Sequence, residues 1–148
     1  MTKIKTIVLT EDNPKDVELT LEAMAENNLA NNIVVVKDGV ELLEYLKREG
    51  NFKSRKSENP AFILLDIKMP RMDGLEALRI IRGDEKLKTI PVVILTSSRE
   101  EQDLFNSYNL GVNAYVVKPV NFHAFVEAVK QIGIFWALLN ELPPEGKE

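Results

Sequence analysis

Five short apolar runs constrain this chain more than anything else in it. They lie at Ile4–Leu9, Ile33–Val36, Ala61–Leu65, Pro91–Leu95 and Ala114–Val117, and each is followed by a stretch with helical spacing. Several are continuous rather than alternating, above all Phe62-Ile63-Leu64-Leu65 and Val92-Val93-Ile94-Leu95. A strand that is apolar on both sides has to be covered on both sides, which favours a parallel sheet between two helical layers. Parallel neighbours require a crossover, and a helix is the compact one, so the pattern predicts a single α/β doubly wound domain.

The helices between the strands carry their own start and stop signals. The first opens at Pro14 and places Val17, Leu21 and Met24 on one face. A second is expected over Gly39–Glu49, with Asp38 as N-cap, Leu42, Leu43 and Leu46 inward, and Gly50 just past its end. Leu75, Leu78 and Ile81 mark a third after Asp73-Gly74. A fourth over Arg99–Leu110 uses Leu104, Phe105 and Tyr108 and stops at Gly111. The fifth starts after Asn121 with Phe122, Val126 and Val129, and its apolar pattern runs on through Ile132 to Leu139. The polar stretch Asn51–Asn59, with Lys53, Arg55 and Lys56, reads as a solvated surface loop.

Composition matters for what it removes. The net charge of −4 gives no basic field for nucleic acid or anionic lipid. The absence of cysteine removes disulfides, thiolate chemistry and the usual zinc sites, and suits a reducing compartment. No apolar run approaches the roughly 18 residues that span a bilayer, so a cytoplasmic protein without a membrane or nucleic-acid partner is expected.

In doubly wound sheets ligands bind beyond the carboxyl ends of the strands. Strand one ends in Thr10-Glu11-Asp12, strand three in Asp66, strand four in Thr96-Ser97 and strand five in Lys118-Pro119. Glu11, Asp12 and Asp66 would converge there. Two carboxylates about 4 Å apart repel by roughly 4 kcal/mol at an effective dielectric near 20, so either one acid protonates or a cation binds. Three hard oxygen donors at a wet sheet edge suit Mg²⁺, and Lys118 and the Thr96 hydroxyl complete an anion-recognition set. A carboxylate nucleophile, a divalent ion and a lysine are the parts of phosphoryl transfer, with an aspartyl phosphate as product.

These residues resemble the receiver domain of bacterial two-component response regulators. Glu11-Asp12, Asp66-Ile67-Lys68-Met69-Pro70-Arg71-Met72-Asp73-Gly74, Thr96-Ser97, and Lys118-Pro119 preceded by Ala114-Tyr115 carry the likeness, over about residues 4 to 132. It implies a flavodoxin-like sheet of order 2-1-3-4-5 with helices on both faces, and a sensor histidine kinase as phosphoryl donor. It further implies Asp66 as phosphoacceptor. Asp12 and Asp66 with the backbone carbonyl of Lys68 would hold Mg²⁺, with Glu11 acting through water and Lys118 bridging to Asp66 or its phosphate. Thr96 would move toward the phosphoryl group while Tyr115 turns inward, and Lys118-Pro119 would be cis. Residues 133–148, with Phe135, Trp136 and Leu139, form a C-terminal extension like that of stand-alone receivers that work with bacterial phytochromes. There it helps form a dimer with helix four, strand five and helix five.

Blander readings exist for each residue. Asp66 could be a turn acid, Lys118 a solvated lysine, Thr96 an ordinary strand end, and Tyr115 plain core packing. His123, the single histidine, has no catalytic company in the sequence. Other functions fit less well. A haloacid dehalogenase-type phosphatase would need a second Asp two residues after the nucleophile, where Lys68 stands. A flavin carrier would need a hydroxyl- and glycine-rich loop in place of Thr10-Glu11-Asp12-Asn13. A never-phosphorylated scaffold would not need the complete set. With nothing beyond Asn140 to Glu148 to serve as an output domain, the output is expected to be a changed protein contact.

Overall fold

A computed structural model describes residues 6–26, 32–55 and 58–131. Its elements run β1 (Ile7–Thr10), α1 (Pro14–Ala25), β2 (Ile33–Val36), α2 (Gly39–Lys47), a 3-10 turn (Gly50–Phe52), β3 (Phe62–Asp66), α3 (Gly74–Gly83), β4 (Val92–Thr96), α4 (Arg99–Ser107), β5 (Ala114–Val117) and α5 (Phe122–Gln131). The five strands form one sheet in the order β2-β1-β3-β4-β5, and every pairing is parallel. This is the doubly wound arrangement that the apolar runs predict.

Alternation along each strand divides the core in two. Val8, Ile63, Leu65, Val92 and Ile94 face α2, α3 and α4, where Leu42, Leu46, Leu78, Ile81 and Phe105 meet them. Ile7, Leu9, Phe62, Leu64, Val93 and Leu95 face α1 and α5, against Met24, Phe125 and Val129. The central strands β1, β3 and β4 are buried at every position, because helices cover both of their faces. At the edge, β2 is apolar throughout but only Val36 is buried, and Val35 is 42% exposed.

Helix starts follow their caps. Asn13, Asp38, Asp73 and Ser98 each accept backbone N–H groups of the first turn of α1, α2, α3 and α4. Two expectations need correction and a third is refined. Helix α4 ends at Ser107 and buries only Phe105, leaving Leu104 and Tyr108 exposed; Tyr108 instead lies under the Arg79 guanidinium at 5.0 Å. Helix α5 turns Phe125, Ala128 and Val129 inward, with Phe122 and Val126 only partly covered. In the Asn51–Asn59 stretch, Asn51, Lys53, Ser54, Glu58 and Asn59 are exposed as a surface loop should be, but Arg55 and Phe52 tie the stretch down. Arg55 donates to the carbonyls of Tyr45, Leu46 and Glu58 and stacks over the Tyr45 ring at 4.2 Å. Phe52 packs edge-on against the same ring. The expected C-terminal extension, with Phe135, Trp136 and Leu139, lies outside the described residues.

Thr10 contributes an unmet cost. Its hydroxyl is fully buried and has no hydrogen-bond partner among the described residues. Leaving such a group unpaired costs about 1–3 kcal/mol, which an isosteric apolar side chain avoids. Thr10→Val is therefore expected to raise stability by about 1 kcal/mol in denaturant unfolding. A lower midpoint would mean that the hydroxyl has a partner.

Candidate metal and phosphoryl site

Strand register does the first part of the assembly. Thr10 pairs with Leu65, Asp66 with Leu95 and Thr96 with Val117, so Glu11, Asp12, Asp66, Thr96 and Lys118 emerge within a few residues of one level at the carboxyl edge. One ligand oxygen from each of Glu11, Asp12 and Asp66 lies within 4.8 Å of the other two. Glu11 and Asp66 are 2% and 5% exposed, whereas Asp12 faces solvent.

Lys118 stands opposite them. Its Nζ donates to Asp66 Oδ1 at 2.9 Å, to Asp16 Oδ2 at 3.4 Å and to Glu11 Oε1 at 3.5 Å. Burial works against this ammonium, but the hydrogen bond to Asp66 and the charges of Asp66, Glu11 and Asp16 outweigh it and push its pKa well up. Burial, and then the Asp66 charge, push the Glu11 carboxyl up to about 7, with Lys118 and the Asn13 backbone N–H opposing. One lysine thus faces more negative charge than it can neutralise. Oxygen donors of this kind at a partly open edge fit Mg²⁺, which tolerates retained waters and few carboxylates. A cavity of about 210 Å³ opens here, lined by the acids together with Lys68, Ser97, Glu101 and Lys118. It is smaller than the roughly 300 Å³ at which sites for drug-sized ligands begin.

The loop after β3 is built to hold its shape. Gly39 N–H donates to Met72 O, and Gly74 N–H to Ile67 O. Arg71, at φ 63°, makes a two-pronged contact with Asp38, at 2.8 Å from Nε to Oδ2 and 3.2 Å from Nη2 to Oδ1. Burial would raise the Asp38 pKa, but the Arg71 hydrogen bond and the Glu41 backbone N–H hold it below the usual carboxylate value. A depressed folded pKa means that this stabilisation is complete above about pH 4 and is lost as the pH falls through the folded value. Asp38→Asn keeps an N-cap but loses the ion pair. It is expected to cost about 1 kcal/mol at pH 7, since Arg71 is half exposed, and the gap to the parent should close under acid in pH-dependent melts.

The switch candidates are held elsewhere in this form. Thr96 Oγ1 donates to Ser98 O at 3.2 Å, and Tyr115 Oη donates to Asn106 Oδ1 of α4 at 2.7 Å. The Lys118–Pro119 peptide is cis, as the resemblance implies. Lys68 extends its side chain into solvent at 86% exposure, so nothing stands there for the second Asp of a haloacid dehalogenase. His123 is exposed in the first turn of α5, away from the cavity lining. Two cavity residues escape a reading from sequence alone. Asp16, in the first turn of α1, reaches Lys118, and Glu101, in the first turn of α4, caps the loop after β4. The signal was an acid in the first turn of a helix that starts at this edge, which the helix dipole explains equally well.

Comparison with known proteins agrees with this geometry. The family model of the response regulator receiver domain matches residues 7–130. Response regulator Rcp1 of Synechocystis sp. is 35% identical over 139 residues, 94% of this chain and 93% of Rcp1. The Mn(2+)-bound form of Rcp1 superposes with a TM-score of 0.71 over 94% of this chain and 99% of that one. Bacteriophytochrome response regulator RtBRR is 55% identical with a TM-score of 0.88, covering 96% of this chain and 86% of that one. The phosphorylated cyanobacterial phytochrome response regulator RcpA is 40% identical with a TM-score of 0.73, covering 97% and 100%. No described helix is long and apolar enough to cross a membrane. With a family match over most of its length and with this sheet and these relatives, the chain belongs to the response regulator receiver domain family, the phosphorylation-dependent switches of two-component signalling.

Proposed function

We propose that Asp66 accepts the phosphoryl group, and that the chain assists both its own phosphorylation and its own dephosphorylation. The observation that carries this reading is the meeting of three carboxylates within 4.8 Å, faced by the Lys118 ammonium. A carboxylate oxygen of Asp66 attacks the phosphorus of a phosphohistidine on a sensor histidine kinase. The O–P bond forms, the P–N bond breaks, and the departing imidazole takes a proton from solvent. Lys118, 2.9 Å from Asp66 Oδ1, shifts onto a phosphoryl oxygen as negative charge arrives. Asp12 and Asp66, with the backbone carbonyl of Lys68, would hold Mg²⁺, with Glu11 acting through water; the ion would supply positive charge to the incoming phosphoryl group. Loss of the signal is attack by water on phosphorus, with Asp66 leaving as a carboxylate and inorganic phosphate released. A sensor kinase as donor favours the cytoplasm as the place of action.

The output of the switch is a changed contact. Thr96 gives up Ser98 O for the phosphoryl group, and Tyr115 leaves Asn106 for the space vacated. The face made of α4, β5 and α5 then binds differently, to a second copy with the help of residues 133–148, or to a target protein. The exposed apolar side chains Leu104 on α4, Tyr108 just past its end and Val117 on β5 support that choice of face. The likeness to phytochrome-associated regulators makes a bacterial phytochrome the favoured kinase. Incubation with acetyl phosphate and Mg²⁺, read by intact mass, tests the proposal. A gain of one phosphoryl group is expected; no gain would put a never-phosphorylated scaffold in its place.

A further inference from the structure

Glu101 does something here that helix capping alone does not require. Its backbone N–H donates to Ser98 Oγ at 3.2 Å, which is the ordinary N-cap of α4. In a reciprocal capping box its carboxylate would return to the N–H of Ser98. Instead Glu101 Oε1 accepts from the N–H of Ser97 at 2.7 Å and from the Ser97 hydroxyl at 3.0 Å, one residue nearer Thr96. The side chain is 19% exposed and lines the same cavity as Asp66 and Lys118. Its other oxygen lies 4.0 Å from Lys68 Nζ, whose long, solvent-exposed side chain makes that pair weak. An anion therefore already occupies the two donors on the β4 side of the pocket, while Thr96 Oγ1 is committed to Ser98 O.

We infer that Glu101 is a positioning residue, an internal stand-in for phosphate that latches the loop Thr96–Ser98 in the unphosphorylated form and is expelled when Asp66 is modified. The inference rests on Asp66 as phosphoacceptor. A phosphoryl group brings nearly two negative charges and strong acceptor oxygens. It competes with the Glu101 carboxylate for the Ser97 N–H and hydroxyl, and it repels that carboxylate across the cavity. Expulsion frees both donors for the phosphoryl oxygens and unties the first turn of α4 from the strand end. The pocket is thereby linked to the helix on which the output face is built. Holding the latch costs phosphorylation rate and shortens phosphate lifetime, since the same charge opposes the modified state.

Glu101→Gln tests this, because the amide oxygen can still accept from Ser97 while the charge is gone. Parent, E101Q and Glu101→Ala are incubated with acetyl phosphate and Mg²⁺ and followed by intact mass; the donor is then removed and the decay is timed. The expected result is phosphoryl uptake on the order of fivefold faster in E101Q, with slower decay and a melting temperature close to the parent's. E101A, which loses both charge and bonds, is expected to gain phosphate faster than the parent even though it melts earlier. Uptake in E101Q equal to the parent's, or slower uptake in E101A, would leave Glu101 as a cap only and overturn the inference. A parent that takes up no phosphoryl group would instead overturn the role of Asp66, and the latch with it.

Discussion

Asp66→Asn is expected to take up no phosphoryl mass from acetyl phosphate and Mg²⁺ under conditions that modify the parent fully, while remaining folded. The loss is chemical. An amide oxygen can accept a bond from Lys118 in place of Asp66 Oδ1, but it is too poor a nucleophile to form an acyl phosphate. Stability should change little because two effects oppose each other. The substitution removes the charge that pairs with Lys118, and it also removes the charge that, after burial, does most to push Glu11 up. Intact mass together with a thermal melt separates the outcomes. A variant that melts with the parent and stays unmodified supports the assignment, whereas one that gains phosphoryl mass would place the acceptor elsewhere.

The second large effect is expected of Gly74→Ala. Gly74 opens α3, and its N–H donates to Ile67 O at 2.8 Å. A methyl group built on it would collide with the backbone carbonyl oxygen of Asp66 and lie 3.1 Å from Ile67 Cα. Neither neighbour is the movable end of a side chain, so relief requires moving the backbone that carries Asp66, the proposed phosphoacceptor. Overpacking of this kind costs about 3 kcal/mol, or roughly 10 °C of melting temperature in a domain of this size. Phosphoryl uptake should fall as well, because the displaced peptide follows Asp66 directly. Gly83→Ala is the control. No atom lies within 4 Å of the added methyl at the end of the same helix, and helix propensity favours Ala there. If both variants melted alike, the close approach at Gly74 would be wrong.

The sheet was legible in the sequence because continuous runs such as Phe62–Leu65 admit few alternatives to a doubly covered strand. The apolar runs stop one residue short of the strand ends at Asp66 and Thr96. Polar side chains there look like loop, yet their backbones still pair with Leu95 and Val117. The buried face of α4 is narrower than its apolar spacing predicts, for a different reason. Periodicity gives the angle between side chains on a helix, but not which part of that arc a neighbour covers, and Leu104 is left 58% exposed. In the site, strand-end residues could be read directly because parallel register carries them to one edge. Asp16 and Glu101 could not, since they reach the pocket from helix first turns, where acids are common for electrostatic reasons of their own. The Arg71–Asp38 clamp, spanning 33 positions, had no local signal at all.

What decides the account is whether the acids at this edge share one cation. Calorimetric titration of chelator-treated protein with Mg²⁺ measures that directly. One ion per chain is predicted, with affinity lowered at least about tenfold in Asp66→Asn because one of three converging carboxylates is gone. Absence of binding in the parent, or binding unchanged by that substitution, would contradict it.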